Sequence, residues 1–411
     1  MIIAQENGRI IGAPDKLFGL SSLAKERIAQ VGKNHVIDST IGVLLDDEGK
    51  LVVLESVIEA VQGLAPADYA AYAPILGLPE YLEAVKKAVF LDEIPEGCFI
   101  ESCYTPGGTG AVRNAVSAYT KFGDRILTSD WHWNPYRLIA EELGRSVSCY
   151  TLFDKDDKFN SVSFEAALSD ILKEQEETLV IVNTPAHNPT GYTFTAADWD
   201  ALLAVLTKFP QKKITLLADI AYLDFSGEAR EYRFFFKKLA GLPANILPLI
   251  AFSASKGYTM YGMRCGALLC MASSAGIAKE FKDVMSVESR ASWSNGNRAA
   301  MKTIADIFAD QGRFERVQAE RRYWLDILSR RGDAFMEEAE KAGLKTCPYD
   351  SGFFITIPCD DPEGVGKRLQ AFDIFVIPLG SGIRISVASN TVEECRKMPQ
   401  KIKEAIGQNL L

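Results

Sequence analysis

The sequence predicts an α/β fold, a mainly parallel seven-stranded sheet with helices on both faces, joined to a smaller α/β domain. Three observations carry the prediction. From about residue 100 to 272, short apolar runs alternate with helical stretches. Those runs are continuously apolar, the pattern of strands buried on both faces. After about residue 343 the pattern starts afresh, with two more strands and two more helices. A chain of 411 residues can hold two or three domains and an ample core. The divisions read as 1–54 for an N-terminal arm and part of the small domain, 55–320 for the large domain, and 321–411 for the C-terminal small domain.

Residues 1–20 read as an arm lying on a surface. Ser21 or Ser22 can cap a helix running to about Val31. Residues 36–43 read as an extended segment ending in a glycine turn, and 56–62 as a short helix. Pro79 opens another helix, 80–90, with Leu82, Val85, Val89 and Phe90 at helical spacing. The seven strands are 99–103, 125–129, 147–152, 179–182, 214–218, 247–252 and 267–271. The helices among them are 110–122, 135–143, 164–173, 196–208 and roughly 231–240. Residues 279–343 are helical and charge-rich, with 314–342 as one long helix or two abutting ones. In the tail, 352–357 and 383–387 read as strands, and 362–372 and 391–406 as helices.

Composition excludes several classes. The net charge is −9 with no large basic block, which argues against a nucleic-acid partner. About 50 residues precede the large domain. They are neither basic nor helix-turn-helix in pattern, which argues against a DNA-binding regulator. Eight cysteines show no Cys-x-x-Cys pair, and there are only three histidines, so no metal site is expected. Scattered cysteines point to free thiols in a reducing cytoplasm. The first twenty residues hold Glu6, Arg9, Asp15 and Lys16 and lack an apolar signal core. No apolar run approaches the roughly 18 residues that a membrane helix needs.

One stretch organises the rest: Ser253-Ala254-Ser255-Lys256-Gly257-Tyr258-Thr259-Met260-Tyr261-Gly262-Met263-Arg264. It follows a strand. Its plain reading is a surface turn with a solvated lysine. The sharper reading gives Lys256 a pyridoxal phosphate as a Schiff base, with Ser253, Ser255 and Arg264 gripping the phosphate. An amine beside a buried strand is desolvated, which favours its neutral, nucleophilic form. Arginine offers a planar fork that fits a phosphate.

Three further motifs follow strands. Tyr104-Thr105-Pro106-Gly107-Gly108-Thr109-Gly110 opens a helix, where bare glycines and free N–H groups suit a phosphate. Its spacing is neither a dinucleotide fingerprint nor a Walker loop. Asn183-Thr184-Pro185-Ala186-His187-Asn188-Pro189 is either a simple Asn-Pro turn or a device by which Asn188 donates to the phenolic oxygen of the cofactor. In Ala218-Asp219-Ile220-Ala221-Tyr222, Asp219 is either a helix cap or the partner of a protonated pyridine nitrogen. A ring kept cationic accepts the electrons released when the substrate Cα–H breaks. Tyr222 adds a second donor to the phenolic oxygen.

Together these motifs resemble the aspartate/aromatic aminotransferase family, the class I branch of fold-type I pyridoxal-phosphate enzymes. The resemblance runs from Ala13-Pro14-Asp15-Lys16, through Ile41-Gly42-Val43-Leu44-Leu45-Asp46-Asp47-Glu48-Gly49, to Arg384. It implies that Lys256 is the Schiff-base lysine and, once freed, the base that moves the proton between Cα and C4′. It implies phosphate contacts from Gly108, Thr109, Ser253, Ser255 and Arg264. It makes Tyr72 the tyrosine that reaches the phosphate of a neighbouring subunit in a homodimer with shared active sites; otherwise Tyr72 is a core tyrosine ahead of a helix. Arg384 matches the arginine that pairs with the substrate α-carboxylate, and Gly42 falls in the substrate-binding region. Arg290, thirty-four residues after Lys256, falls where the family's dicarboxylate-selecting arginine lies; otherwise it is a surface arginine. Ser294 would sit near the partner's phosphate.

The segment after Asp47 and the region 225–245 diverge from the family, and one motif departs from it. Asp130-Trp131-His132-Trp133-Asn134-Pro135-Tyr136 stands where Trp-x-Asn-His is usual. Trp133 aligns with the ring-stacking tryptophan that also borders the substrate, although a shift would give the role to His132 or Trp131. Tyr136 aligns with the histidine that supports the cofactor aspartate. The implied activity is transfer of an amino group between an L-amino acid, aspartate or aromatic, and 2-oxoglutarate, by a ping-pong route through pyridoxamine phosphate. The alternative is another fold-type I reaction, β-elimination or decarboxylation, which Lys256 and Asp219 would serve equally.

Overall fold

The computed structural model describes residues 16–228 and 230–407. Most of the expected N-terminal arm, and Ala13 to Asp15 of the resemblance, lie outside the described residues. Twelve strands lie among those described: β1 (Ile37–Asp38), β2 (Phe99–Pro106), β3 (Arg125–Ser129), β4 (Ser146–Tyr150), β5 (Glu177–Asn183), β6 (Lys213–Asp219), β7 (Ile246–Ser253), β8 (Cys265–Ala272), β9 (Phe354–Pro358), β10 (Ile374–Phe375), β11 (Ile377–Pro378) and β12 (Gly382–Ser386). The chain forms two compact units. The first holds 53–184 and 194–320; the second holds 16–52, 185–193 and 321–407. The segment 185–193, which carries Asn188, thus groups with the second unit although it follows β5 in the chain.

The first unit is built on a seven-stranded sheet, ordered β2-β8-β7-β6-β5-β3-β4. All neighbours are parallel except β8, which runs antiparallel to both β2 and β7. Every residue of β8 is buried, as is β6 from Ile214 to Asp219, so both sheet faces are covered. Register brings the motif residues to one edge. Asn183 pairs with Asp219, and Asp219 with Ala251. Ser253 pairs with Gly266, and Pro106 with Cys265. The carboxyl ends of β2, β5, β6 and β7 therefore meet the start of β8. Such an edge is where open α/β sheets hold ligands.

Local signals account for the helices. Pro79 and Pro135 each sit at a helix start, where a missing N–H costs nothing. Thr195 caps Ala196–Leu206 in a reciprocal box with Asp198. Asn160 caps Ser161–Glu174 through the Ser163 N–H. The long helical region is one helix, Gln311–Lys341. The helix expected at 231–240 is instead a 3-10 turn, Glu231–Arg233, and a short helix, Phe235–Leu239. The break falls where Arg233 turns inward to Asp224 and to the carbonyls of Val89 and Ala88.

The second unit has a three-stranded antiparallel sheet, β11-β12-β9, and the parallel pair β1-β10. Ile355, Ile357, Ile383 and Ile385 pack there with Phe335 and Met398. The first helix is Lys16–Val31, and Ser21 lies buried inside it rather than at its cap. The extended segment 36–43 shrinks to β1. Asp38 Oδ1 takes the Thr40 N–H and hydroxyl, and this Asx-type turn ends the ladder. All eight cysteines are free thiols.

Candidate active site

The first unit carries a lysine, a buried carboxylate and an arginine-lined loop on one sheet edge. Asp219 ends β6 and is 5% exposed. Its carboxylate receives the Tyr136 hydroxyl on Oδ2 at 2.5 Å and the Ala221 N–H on Oδ1 at 3.1 Å. Burial pushes the Asp219 carboxyl up, while these two donors pull it back. Burial, and then the nearby negative charge of Asp219, hold the Tyr136 phenol well above its ordinary range. Tyr136 therefore remains the proton donor of the pair.

Lys256 follows β7, the strand beside β6, and is half-buried. Its Nζ lies 4.7 Å from the centre of the Tyr261 ring and 5.7 Å from that of Tyr222. Tyr222 is 6% exposed. Asp219 and Lys256 thus arise from neighbouring strand ends. Ser253 Oγ accepts the Ser255 N–H at 3.3 Å.

Arg264 precedes β8. Its Nη1 donates to Ser255 Oγ at 3.4 Å and to the Tyr261 carbonyl at 3.0 Å. The Tyr104 hydroxyl donates to the Arg264 carbonyl at 2.9 Å, which pins the loop to β2. Gly107 makes room for the guanidinium. A Cβ there would fall 2.7 Å from Arg264 Nη2, and its φ of +74° is left-handed. Gly108 abuts the Ser253 side chain, and Thr109 is in the first turn of the helix Gly107–Tyr119. The strand ends, the helix N-terminus and Arg264 together group backbone and guanidinium donors in an arrangement suited to a phosphate.

Trp133 lies edge-on to Tyr136, at 5.5 Å and 87°. His132 Nδ1–H donates to the Ser129 carbonyl at 2.8 Å, and burial lowers its pKa. The Trp131 N–H is tied to Asp130 Oδ1. Of the three candidate aromatic residues, Trp133 is the one seen packed on the partner of Asp219.

Tyr72 is 88% exposed, which removes the core-tyrosine reading. Arg290 is exposed near the end of the helix Ala275–Ser292, and its Nη1 donates to Ser294 Oγ at 2.7 Å.

In the second unit, Arg384 sits in the central strand β12 and is 5% exposed. Its Nη2 donates to the Thr40 carbonyl at 3.0 Å and its Nη1 to Asn188 Oδ1 at 3.3 Å. The second bond turns the Asn188 Nδ2 donors away from the arginine. The guanidinium also lies 4.1 Å over the Phe354 ring. A Cβ at Gly42 would come 2.8 Å from Phe354 Cζ, so the glycine leaves space for that ring. Tyr104, Tyr261 and Phe354 were not singled out as site residues by sequence. Tyr261 lay within the lysine stretch and Phe354 within a strand, but no spacing rule distinguished either from core.

Among the described residues no cluster of His, Cys, Asp and Glu could hold a metal. No described helix is long and apolar enough to cross a membrane.

A family model described as aminotransferase class I and II matches residues 34–402. The chain is 27% identical over 382 residues to a tyrosine aminotransferase from Klebsiella pneumoniae, covering 90% of this chain and 94% of that one. The crystal structure of an aminotransferase from Anaerococcus prevotii is similar at a TM-score of 0.96 with 33% identity, covering 99% of this chain and all of that one. An aromatic-amino-acid aminotransferase from Burkholderia pseudomallei, covalently bound to pyridoxal phosphate, shares the fold at a TM-score of 0.82 with 22% identity over 98% of this chain and all of that one.

Proposed function

The chain belongs to the class I and II aminotransferases, and from that premise we propose that it moves an amino group between an L-amino acid, aspartate or aromatic, and 2-oxoglutarate. Its cofactor is pyridoxal 5′-phosphate. The residues present fit that group. Gly107 lets the Arg264 guanidinium lie against the first turn of the helix, where a Cβ would come within 2.7 Å of it, so that arginine and helix N-terminus offer their donors together. Asp219 is a buried carboxylate with one donor on each oxygen, and each oxygen keeps a lone pair for another.

When bound, the cofactor supplies an aldehyde that takes up the amino group and a cationic ring that draws electrons from the substrate Cα. In this reading Arg264, Ser253, Ser255, Gly108 and Thr109 hold the phosphate, and Asp219 keeps the ring nitrogen protonated. Asn188 and Tyr222 donate to the phenolic oxygen, and Trp133 covers a ring face. Lys256 Nζ anchors the cofactor and, once displaced, takes the proton from the substrate Cα. The Tyr222 and Tyr261 rings limit where that amine can swing, which suits a base that must stay close to one carbon. Arg384 takes the α-carboxylate through its planar fork, close to Gly42. Arg290 takes a distal carboxylate, and Tyr72 a phosphate, across a homodimer. The exposure of both side chains supports that role. The free thiols support a reducing, cytoplasmic setting.

The observation that carries the reading is the origin of Asp219 and Lys256 at neighbouring strand ends, with Tyr222 beside the lysine amine. The name of the relative from Klebsiella pneumoniae, tyrosine aminotransferase, supports an aromatic donor. The test is a panel of amino donors with 2-oxoglutarate, scored by the absorbance change of the bound cofactor and by oxo-acid product. Turnover of aspartate or tyrosine is expected. Release of ammonia or carbon dioxide without amino transfer would overturn the reading.

A further inference from the structure

We infer that Asp224, held by Arg233, is a positioning residue for Lys256: its carboxylate seats the turn Lys256-Gly257 and so fixes where the amine stands beside Tyr222. This rests on the proposed role of Lys256 and gives Asp224 and Arg233 a part in the same site. Arg233 lies in the region 225–245 that diverges from the family, and the proposed function leaves it unused. Lys256 belongs to a four-residue helix, Ala254–Gly257, that follows β7. Against it packs the 3-10 turn Leu223–Phe225, which begins directly after Tyr222. The close approach is between Gly257 and Asp224. A Cβ at Gly257 would fall 3.0 Å from Asp224 Cβ, 2.9 Å from its Cγ and closer still to Oδ2. The φ of Gly257 is not left-handed, so the glycine serves space rather than conformation.

A carboxylate on a mobile side chain would swing aside, but this one is tethered. Arg233 Nη2 donates to Asp224 Oδ1 at 2.9 Å, and the two side chains are only 7% and 11% exposed. A buried carboxylate stays ordered when a charged donor holds it. Arg233 is anchored in turn. Its Nε donates to the Val89 carbonyl at 2.9 Å and its Nη2 to the Ala88 carbonyl at 3.2 Å. Those carbonyls lie in the last turn of the helix Pro79–Phe90, where the helix itself supplies no N–H and a cation is favoured. The helix end thus holds Arg233, Arg233 holds Asp224, and Asp224 bears on the lysine turn. The 3-10 turn that carries Asp224 also presents Tyr222, whose ring centre is 5.7 Å from Lys256 Nζ. Amine and tyrosine are therefore placed by one braced piece of backbone. Such bracing matters, because a misplacement of about 1 Å in a reacting group can cost about a hundredfold in rate.

The test uses two forms of the cofactor on the apoprotein. Pyridoxal phosphate bonds to the lysine amine: a C=N bond forms, the aldehyde C=O breaks and water leaves. Pyridoxamine phosphate has no aldehyde, so its binding does not depend on where the amine stands. In Gly257→Ala, the rate at which borohydride traps pyridoxal phosphate on Lys256 should fall at least about tenfold. The Kd for pyridoxamine phosphate, read by fluorescence quenching, should change less than about threefold, because no hydrogen bond to it is lost. Asp224→Ala removes the seat and should show the same split. Asp224→Ala combined with Gly257→Ala should trap no more than about threefold slower than the slower single variant, since the methyl then enters space the carboxylate has left, whereas independent effects would multiply. Arg230→Gln is the control. Arg230 is an exposed partner of Asp92 and Glu93, and its loss should leave both readouts unchanged. An unchanged trapping rate in Gly257→Ala, multiplied losses in the double variant, equal losses in Arg230→Gln, or equal losses for both cofactor forms would each overturn the inference. Absence of any trapped product on Lys256 of the unaltered protein would instead sink the cofactor reading.

Discussion

The guanidinium of Arg384 on β12 lies 4.1 Å above the ring of Phe354 on β9, with both side chains buried. The ring sets the plane of the guanidinium fork while Thr40 and Asn188 set its rotation. Phe354→Leu keeps the volume near constant and removes the ring face. A buried cation–π contact is worth about 1–2 kcal/mol, so KM for amino acid and oxo acid should both rise roughly five- to thirtyfold with kcat little changed. Steady-state kinetics check this. A fall in kcat at constant KM would contradict it.

Asp219 offers a pH-dependent test. Burial raises its folded-state pKa above the unfolded value of 3.8. The folded protein then binds more protons than the unfolded chain between the two values, so stability falls as pH rises through that window and the cost persists above it. Asp219→Asn removes the ionisable group. The apoprotein variant should therefore gain stability relative to the unaltered protein as pH rises from below 4 to neutrality, while transamination drops by at least about a thousandfold. Thermal unfolding of the two apoproteins at several pH values measures this. A difference that does not change with pH would contradict it.

Gly107→Ala places a methyl 2.7 Å from Arg264 Nη2 at a left-handed φ. The arginine must move, and the donor arrangement with it. Affinity for pyridoxal phosphate should fall at least about tenfold with far-UV circular dichroism unchanged. Titration of the apoprotein checks it.

Arg290 rests on Ser294 Oγ at the surface. If it pairs with a distal carboxylate, Arg290→Leu should cost aspartate and glutamate about a hundredfold in kcat/KM and tyrosine less than about fivefold. Equal losses would remove it from the site.

Much of the fold was legible because each motif follows an apolar run. The strand ends were not. Asn183, Asp219 and Ser253 continue the ladders by one residue each, but they are polar and lie outside the hydrophobic pattern. The helix at Gly107 begins three residues before the reading from sequence, because three glycines weaken the helical signal where a close-approaching backbone needs them. Sheet order and the reversal of β8 come from long-range pairing that no local window holds. The same limit hid Phe354. Its contact with Arg384 depends on the register of two strands, in which Phe354 stands opposite Ser386. Tyr136 was legible as an aligned position, but its bond to Asp219 needed a helix and a strand 83 residues apart to meet.

The central claim is that the amine of Lys256 carries the cofactor. Borohydride reduction of the protein incubated with pyridoxal phosphate, followed by peptide mass mapping, tests it directly. The account predicts one reduced pyridoxyl group per chain, on the peptide containing Lys256, and none in Lys256→Ala, which should still fold but not transaminate. A stable label on another lysine, or normal turnover by Lys256→Ala, would contradict it.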